Sequence, residues 1–239
     1  MPGRDGGAAG GEGPAGGGGP RGGGGSGDRP AGGEGSLRVL RFPLGPVEAN
    51  GYVVLDEPGR TAVFIDAPHD PEPMLAAAAG YRVAAILLTH AHFDHIGGLQ
   101  RLKEATGAPV WIHGEEASWL ADPELNLSAW LEPVVAPPPD RLLAGGERLE
   151  FGGLRFEVRF APGHSPGHVV YVTAGMVFAG DTLFAGSIGR TDLPGGDHAT
   201  LIRSIREQLL TLPPATRVYP GHGPDTTVGR EAATNPFLR

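Results

Sequence analysis

The segment Thr89-His90-Ala91-His92-Phe93-Asp94-His95 packs four candidate metal ligands into six residues. Imidazole and carboxylate together suit Zn2+, with Fe and Mn as alternatives. Where such a chain is extended or turning, His90 and His92 project to one side. Asp94 and His95 are carried round by the turn toward a second position, so one segment can serve two metals. Three further candidates recur in one context: His164 in Ala161-Pro162-Gly163-His164, Asp181 in Ala179-Gly180-Asp181, and His222 in Tyr219-Pro220-Gly221-His222. Each follows a predicted strand. The glycine lets the backbone turn sharply and return the next side chain over the strand ends, where α/β architectures collect functional groups. Cysteine is absent, which excludes thiolate ligands and a cysteine nucleophile, and no serine is arranged with a base.

The elements that must position these residues are legible as periodic runs. Leu37–Phe42, Gly51–Leu55 and Thr61–Asp66 read as strands, with Glu57-Pro58-Gly59-Arg60 as a hairpin connection. An Ala-rich helix is predicted over Met74–Ala79, and Val83–Leu88 reads as a buried strand that ends at the first histidine. Leu99, Leu102 and Ala105 recur at helical spacing until Gly107-Ala108-Pro109, after which Val110–Ile112 resumes a strand. Glu115 to Asp140, rich in Pro, is expected to form a helix and an irregular loop overhanging the site. Further strands are expected at Glu147–Phe151, Leu154–Phe160, Val169–Thr173, Met176–Ala179 and Arg217–Tyr219, a helix over Ala199–Thr211, and a short final helix from about Thr227. Strands interleaved with helices in two similar halves predict two sheets packed face to face with helices outside.

Bulk properties narrow the partners. The 239 residues are 40% hydrophobic, enough for a sizeable core. A net charge of −8 argues against nucleic acid and for a small-molecule substrate. No apolar run approaches a membrane span and no signal-peptide pattern opens the chain, so a cytoplasmic location without membrane contact is expected. Residues 1–35 are largely glycine and are expected to be a disordered tail preceding a catalytic domain over 36–239. Oligomeric state has no sequence signature here.

These motifs resemble those of the metallo-β-lactamase superfamily, in its short, glyoxalase II-like hydrolase branch: THAHFDH matches HxHxDH, APGHSPGH the second histidine, AGDTLF the bridging aspartate and YPGH the last histidine. The resemblance spans nearly all of residues 37–239. It implies an α/β fold, a four-layered αβ/βα sandwich, and a two-metal site, with two Zn2+ per chain and Fe or Mn possible. His90, His92 and His164 would hold the first metal, Asp94, His95 and His222 the second, and Asp181 would bridge them. Asp94 and Asp181 are also the candidate catalytic carboxylates. Two cations would lower the pKa of a shared water from about 15.7 toward about 7, supplying hydroxide that attacks a polarised carbonyl. His168 is expected to hydrogen-bond behind the ligands, whereas His69, His113 and His198 match no ligand position. Arg190, in Gly189-Arg190-Thr191-Asp192, aligns with a basic residue that grips a carboxylate of glutathione in glyoxalase II. The expectation that follows is hydrolysis of a small thioester such as an acyl-glutathione.

Other branches fit less well. Antibiotic-degrading enzymes usually carry an export signal, and commonly Cys or Ser where Asp181 stands here; nucleases need a basic surface. Glyoxalase II proper has a helical C-terminal extension, whereas seventeen residues follow His222, and the ending resembles that of short hydrolases. Mononuclear-iron glutathione persulfide dioxygenases are the principal alternative, yet they usually have Ala before the last histidine, where this chain has Pro220-Gly221-His222-Gly223-Pro224. A non-catalytic metal-binding partner protein is the alternative of another class.

Overall fold

A computed structural model describes residues 37–239, so the expected N-terminal tail lies outside the described residues. The first half of the chain forms a six-stranded sheet in sequence order: β1 (Leu37–Leu44), β2 (Ala49–Asp56), β3 (Thr61–Ile65), β4 (Arg82–Leu87), β5 (Val110–His113) and β6 (Arg141–Leu143). The β1–β2–β3 meander is antiparallel, and β3 through β6 run parallel. The second half begins with the antiparallel strands β7 (Arg148–Phe151), β8 (Leu154–Phe160), β9 (Val169–Thr173) and β10 (Met176–Gly180). A small hairpin of β11 (Leu183–Phe184) and β12 (Ser187–Ile188) follows. The second sheet is then completed by β13 (Arg217–Pro220), parallel to β10, and β14 (Thr226–Thr227).

The period-2 alternation of the strands sets the layers. Tyr52, Val54, Val63, Ile65 and Leu87 point inward from the first sheet against Phe156, Val158, Tyr171, Phe178 and Tyr219 of the second. The alternate residues Val53, Leu55, Phe64 and Ile86 face outward and pack with Met74 of helix α1 (Glu72–Ala77), Ile96 of α2 (Phe93–Ile96) and Leu99 and Leu102 of α3 (Leu99–Thr106). On the far side, Val170, Val177 and Val218 pack under Leu201 of α4 (His198–Ser204), Ile205 and Leu209 of the wider π-helical turn that continues it, and Val228 of α5 (Val228–Thr234). The result is the four-layered αβ/βα sandwich expected from the motifs. No helix among the described residues is long and apolar enough to cross a membrane.

Some elements differ from expectation. The stretch from Glu115 forms two 3-10 turns, Gly114–Glu116 and Ser118–Ala121, and then runs irregularly to β6, because its prolines deny it an amide ladder. The two-residue and three-residue strands β6, β11, β12 and β14 lack the length to show a pattern in the sequence.

Where the two sheets meet at the site, the backbone is stitched across. Val169 donates its amide to Thr89 O at 2.9 Å, and Tyr171 its hydroxyl to Leu88 O at 2.7 Å. Asn50 Nδ2 donates to Pro220 O at 2.9 Å and Gly223 O at 3.0 Å, and Tyr52 OH also donates to Pro220 O at 2.6 Å. The turn carrying His222 is thus held by β2, 170 residues earlier. Asn50→Ala leaves Gly223 O without this donor in a part-buried position and should lower the unfolding free energy by about 1–3 kcal/mol. The shift is read from urea denaturation; an unchanged midpoint would show that this latch carries no stability.

Candidate metal centre

The strand β4 ends at Leu87, and the next turn delivers Thr89 through His95 to the rim of the sandwich. His92 stands at the N-cap of α2 in extended backbone, φ −68° and ψ 147°, so Asp94 and His95 lie on the helical turn that follows. This is the bend that separates the two pairs of ligands. The turns after β8, β10 and β13 contribute His164, Asp181 and His222. Two glycines make the approach possible. A Cβ on Gly180, whose φ is +47°, would sit 2.6 Å from both His168 Nε2 and Thr89 Oγ1, and one on Gly221 would collide with the Asp181 carboxylate.

All seven expected ligands converge. Their donor atoms form three overlapping groups, each within 4.8 Å: His90, His92 and His164; His90, His95 and Asp181; Asp94, His95 and His222. His92 Nδ1 and His164 Nε2 lie 2.9 Å apart, and Asp94 Oδ2 is 3.0 Å from His222 Nε2. Asp181 addresses both ends. Its Oδ1 is 3.4 Å from His95 Nε2, and its Oδ2 is 3.5 Å from His164 Nε2 and 3.6 Å from His222 Nε2.

The surroundings set the tautomers. His95 Nδ1 is 2.9 Å from Asp66 Oδ2 and His164 Nδ1 is 2.9 Å from Arg190 O; each acceptor requires a proton on Nδ1 and frees Nε2. His90 Nδ1 lies 3.0 Å from Thr89 Oγ1, whose hydroxyl donates in turn to Asp66 Oδ2 at 2.9 Å. His90 Nε2, His92 Nε2 and Asp181 Oδ1 are buried without a hydrogen-bond partner. Orphaned buried lone pairs of this kind are costly unless a cation receives them, so the residues fit a metal pair.

The electrostatics agree. Burial and then the neighbouring histidines hold the pKa of His90 well below the imidazole range; burial and then His164 bring His92 to about 3. Both are neutral ligands at pH 7. Burial opposes a proton on His95, but Asp94, Asp181 and Asp66 outweigh it and raise its pKa well above the usual value. Burial likewise opposes charge on Asp181, yet His95, His164 and His222 keep its carboxyl far below the usual range. The carboxylate end of the cluster therefore draws positive charge.

His168, expected behind the ligands, is fully buried, accepts the Asp181 amide on Nε2 at 3.0 Å and stacks on His90 at 4.9 Å. His69 meets Phe93 edge-on and His113 stacks on Phe160, both outside the cluster, and His198 is exposed at the start of α4. Arg190 lines the cleft beside the ligands, but its guanidinium is held by Asp192 in a two-pronged, solvent-exposed pair at 2.8 Å.

Two carboxylates escaped sequence reasoning. Asp66 follows β3 at φ +59° and accepts from Thr89 N at 2.7 Å as well as serving His95; a carboxylate closing an apolar strand was its signal. Glu116 is fully buried, and nothing in the sequence separates it from Glu115. Its Oε2 accepts the Ala91 amide at 2.5 Å; its Oε1 accepts Ser165 Oγ at 2.5 Å and the Gly167 amide at 2.8 Å. Burial pushes its pKa up to about 7 against these three donors. One side chain thereby ties the loop bearing His90 and His92 to the loop bearing His164.

The sequence model of the metallo-beta-lactamase superfamily matches residues 44–222. The chain belongs to the metallo-β-lactamase superfamily. In that superfamily it is similar to a probable metallo-hydrolase, YqgX, of Bacillus subtilis, at 45% identity over 84% of this chain and 98% of the relative. It is 36% identical to the hydroxyacylglutathione hydrolase GloC of Haemophilus influenzae, again over 84% and 98%. Among solved metallo-β-lactamase-fold structures it is similar to the BLEG-1 B3 metallo-beta-lactamase, at 43% identity and a TM-score of 0.80, covering 84% of this chain and 99% of that one. TTHA1623, crystallised in a di-iron-bound form, shares 46% at a TM-score of 0.75 over 83% and 100%. ETHE1 of Myxococcus xanthus shares 29% at 0.70 over 83% of each chain. The chain is accordingly a metallo-hydrolase in the broad sense of its superfamily.

Glu116→Gln replaces one acceptor oxygen with an NH2 that must face an existing N–H or O–H donor. It should weaken metal affinity by about 10- to 100-fold through loosened ligand loops. Competition with a chromophoric chelator measures this; coincident titrations for parent and variant would show that the loops hold themselves.

Proposed function

We propose that the chain is a two-metal thioester hydrolase that cleaves acyl-glutathione-type thioesters. The observation that carries the reading is the Asp181 carboxylate, one oxygen directed at His95 and the other at both His164 and His222. His90, His92 and His164 would hold one cation, Asp94, His95 and His222 the other, and Asp181 both, with Zn2+ favoured by the donor set and iron or manganese as alternatives. When bound, two such cations polarise the thioester carbonyl and lower the pKa of a water between them. The chain's own part is to hold the ligands in one tautomer through Asp66, Thr89 and the Arg190 carbonyl, and to bind the substrate. A cleft of about 520 Å3 opens directly over His92, Asp94, His164, Asp181 and His222. Water adds to the acyl carbon and the C–S bond breaks, yielding a carboxylate and a thiol. The name of the Haemophilus relative supports this substrate class, and the net charge of −8 supports a small molecule over a nucleic acid.

The sequence resemblance to mononuclear-iron glutathione persulfide dioxygenases makes persulfide oxidation at a single iron the reading to test against. Metal-loaded protein should hydrolyse lactoyl-glutathione, lose the activity with chelator and regain it with Zn2+ or Fe2+, and consume no oxygen with glutathione persulfide. Oxygen uptake without thioester cleavage would overturn the assignment.

Arg190 is proposed to meet the carboxylate of the thiol carrier, since a guanidinium can hold a carboxylate with two hydrogen bonds. Asp192 already occupies that fork in solvent, so the exchange of one carboxylate for another is worth less than a new contact. Arg190→Ala should therefore raise KM for glutathione thioesters about three- to tenfold with kcat nearly intact, and leave a carrier lacking carboxylates unaffected. Equal effects on both carriers would instead assign Arg190 to shaping the loop that holds His164.

A further inference from the structure

The hairpin of β11 and β12 begins just after Asp181 and supplies Phe184, Ser187 and Ile188 to the lining of the cleft. It has only two residue pairs, Leu183 with Ile188 and Phe184 with Ser187. A ribbon that short does not hold itself in water, so its place must be fixed from outside. Its base is fixed by the core: Leu183 and Ile188 are buried in the layer that also takes Leu201 of α4 and Val228 of α5, and Gly189 donates its amide to Thr182 O at 3.2 Å. Its tip is fixed by the C-terminal segment. Glu231 Oε2 accepts the Gly186 amide at 2.8 Å, and Asn235 Nδ2 donates to Ser187 O at 2.9 Å.

Glu231, on α5, and Asn235, just past its end, are both fully buried. Asn235 Nδ2 also donates to Glu231 Oε2 at 2.9 Å, and Thr226 Oγ1 donates to Glu231 Oε1 at 2.5 Å. These three partners of the Glu231 carboxyl are uncharged donors. Burying a carboxylate against neutral donors costs more than burying an apolar side chain of that size, so the packing of α5 alone does not account for Glu231. What the pair supplies is direction: one acceptor and one donor matched to the Gly186 amide and the Ser187 carbonyl of a single turn. Through Thr226 the same carboxyl also reaches β14, which pairs with the strand leading to His222.

We propose that Glu231 and Asn235 are positioning residues for substrate binding, a C-terminal clasp outside the ligand set that holds the tip of the β11–β12 hairpin as a wall of the cleft. The substrate side of this claim rests on the thioester reading above. The ligand turns have ties of their own, the His222 turn to Asn50 and Tyr52 and the His164 loop to Glu116. Loosening the tip should therefore move the wall and leave the metal pair in place, which raises KM and spares kcat.

The test compares the zinc-loaded full chain with Glu231→Ala, Asn235→Ala and Glu231→Gln, and with Leu209→Ala as a control for lost stability alone, since Leu209 is buried in the same core layer and lies outside the cleft lining. Kinetics with lactoyl-glutathione, bound zinc and amide hydrogen exchange are read for each. In both clasp alanine variants, exchange should speed up across residues 183–189 and KM should rise about tenfold, the worth of one or two methylene-sized contacts. Their kcat should stay within about twofold of the parent and their zinc content should match it. Glu231→Gln can keep its carbonyl oxygen on Gly186 and Asn235 and turn its NH2 to Thr226 Oγ1, so it should restore the parent KM. Leu209→Ala should lower Tm without raising KM. If Glu231→Ala fails to fold, Asn235→Ala carries the test, because it leaves the carboxyl with Gly186 and Thr226. An unchanged KM in the folded clasp variants, an equal rise in Leu209→Ala, or zinc lost in step with the rise in KM would overturn the proposal while leaving the thioester reading intact. A parent that cleaves no thioester would overturn the thioester reading instead. The clasp is then decided by exchange: faster exchange confined to residues 183–189 supports it, and an unchanged hairpin contradicts it.

Discussion

Lone pairs that converge in a buried space need a cation, and that requirement organises this molecule. His90 Nε2, His92 Nε2 and Asp181 Oδ1 are each buried without a hydrogen-bond partner. Their cost is bearable only because the rest of the structure fixes them where a metal can accept them. The four layers supply the rigidity. Strand ends of both sheets meet at one rim, and each ligand turn is tied to an element of distant sequence: the His222 turn to Asn50 and Tyr52, the His164 loop through Glu116 to Ala91, the His95 ring to Asp66. Metal binding should therefore stabilise the fold, because these ties and the cation act on the same loops.

The electrostatic division of the site follows from the same arrangement. His90 and His92 are neutral through burial and mutual repulsion, and serve as ligands without first losing a proton at pH 7. Asp94, Asp181 and Asp66 draw positive charge onto His95.

The convergence of these seven side chains was legible because their residue types and turn contexts are rare in combination: histidine or aspartate after a glycine at the end of an apolar strand. The sandwich was legible because strand alternation is a local property. What stayed hidden is what depends on non-local contact. Glu116 matters through Ala91, Ser165 and Gly167, and no local pattern marks it. Arg190 illustrates the reverse. Its place beside the cleft was foreseen from family resemblance, but its engagement by Asp192 changes how much that place can be worth. The helix expected after Glu115 gave way to 3-10 turns and irregular chain.

We infer that Asp181 joins two metal positions into one site, one oxygen facing His95 and the other His164 and His222. Metal analysis of the parent chain and of Asp181→Asn, each saturated with Zn2+ or Fe2+ and then freed of loose ions, tests it most directly. The account predicts about two ions per chain in the parent and no more than about one in the variant. A parent that saturates with a single ion, or a variant that retains both, would contradict it.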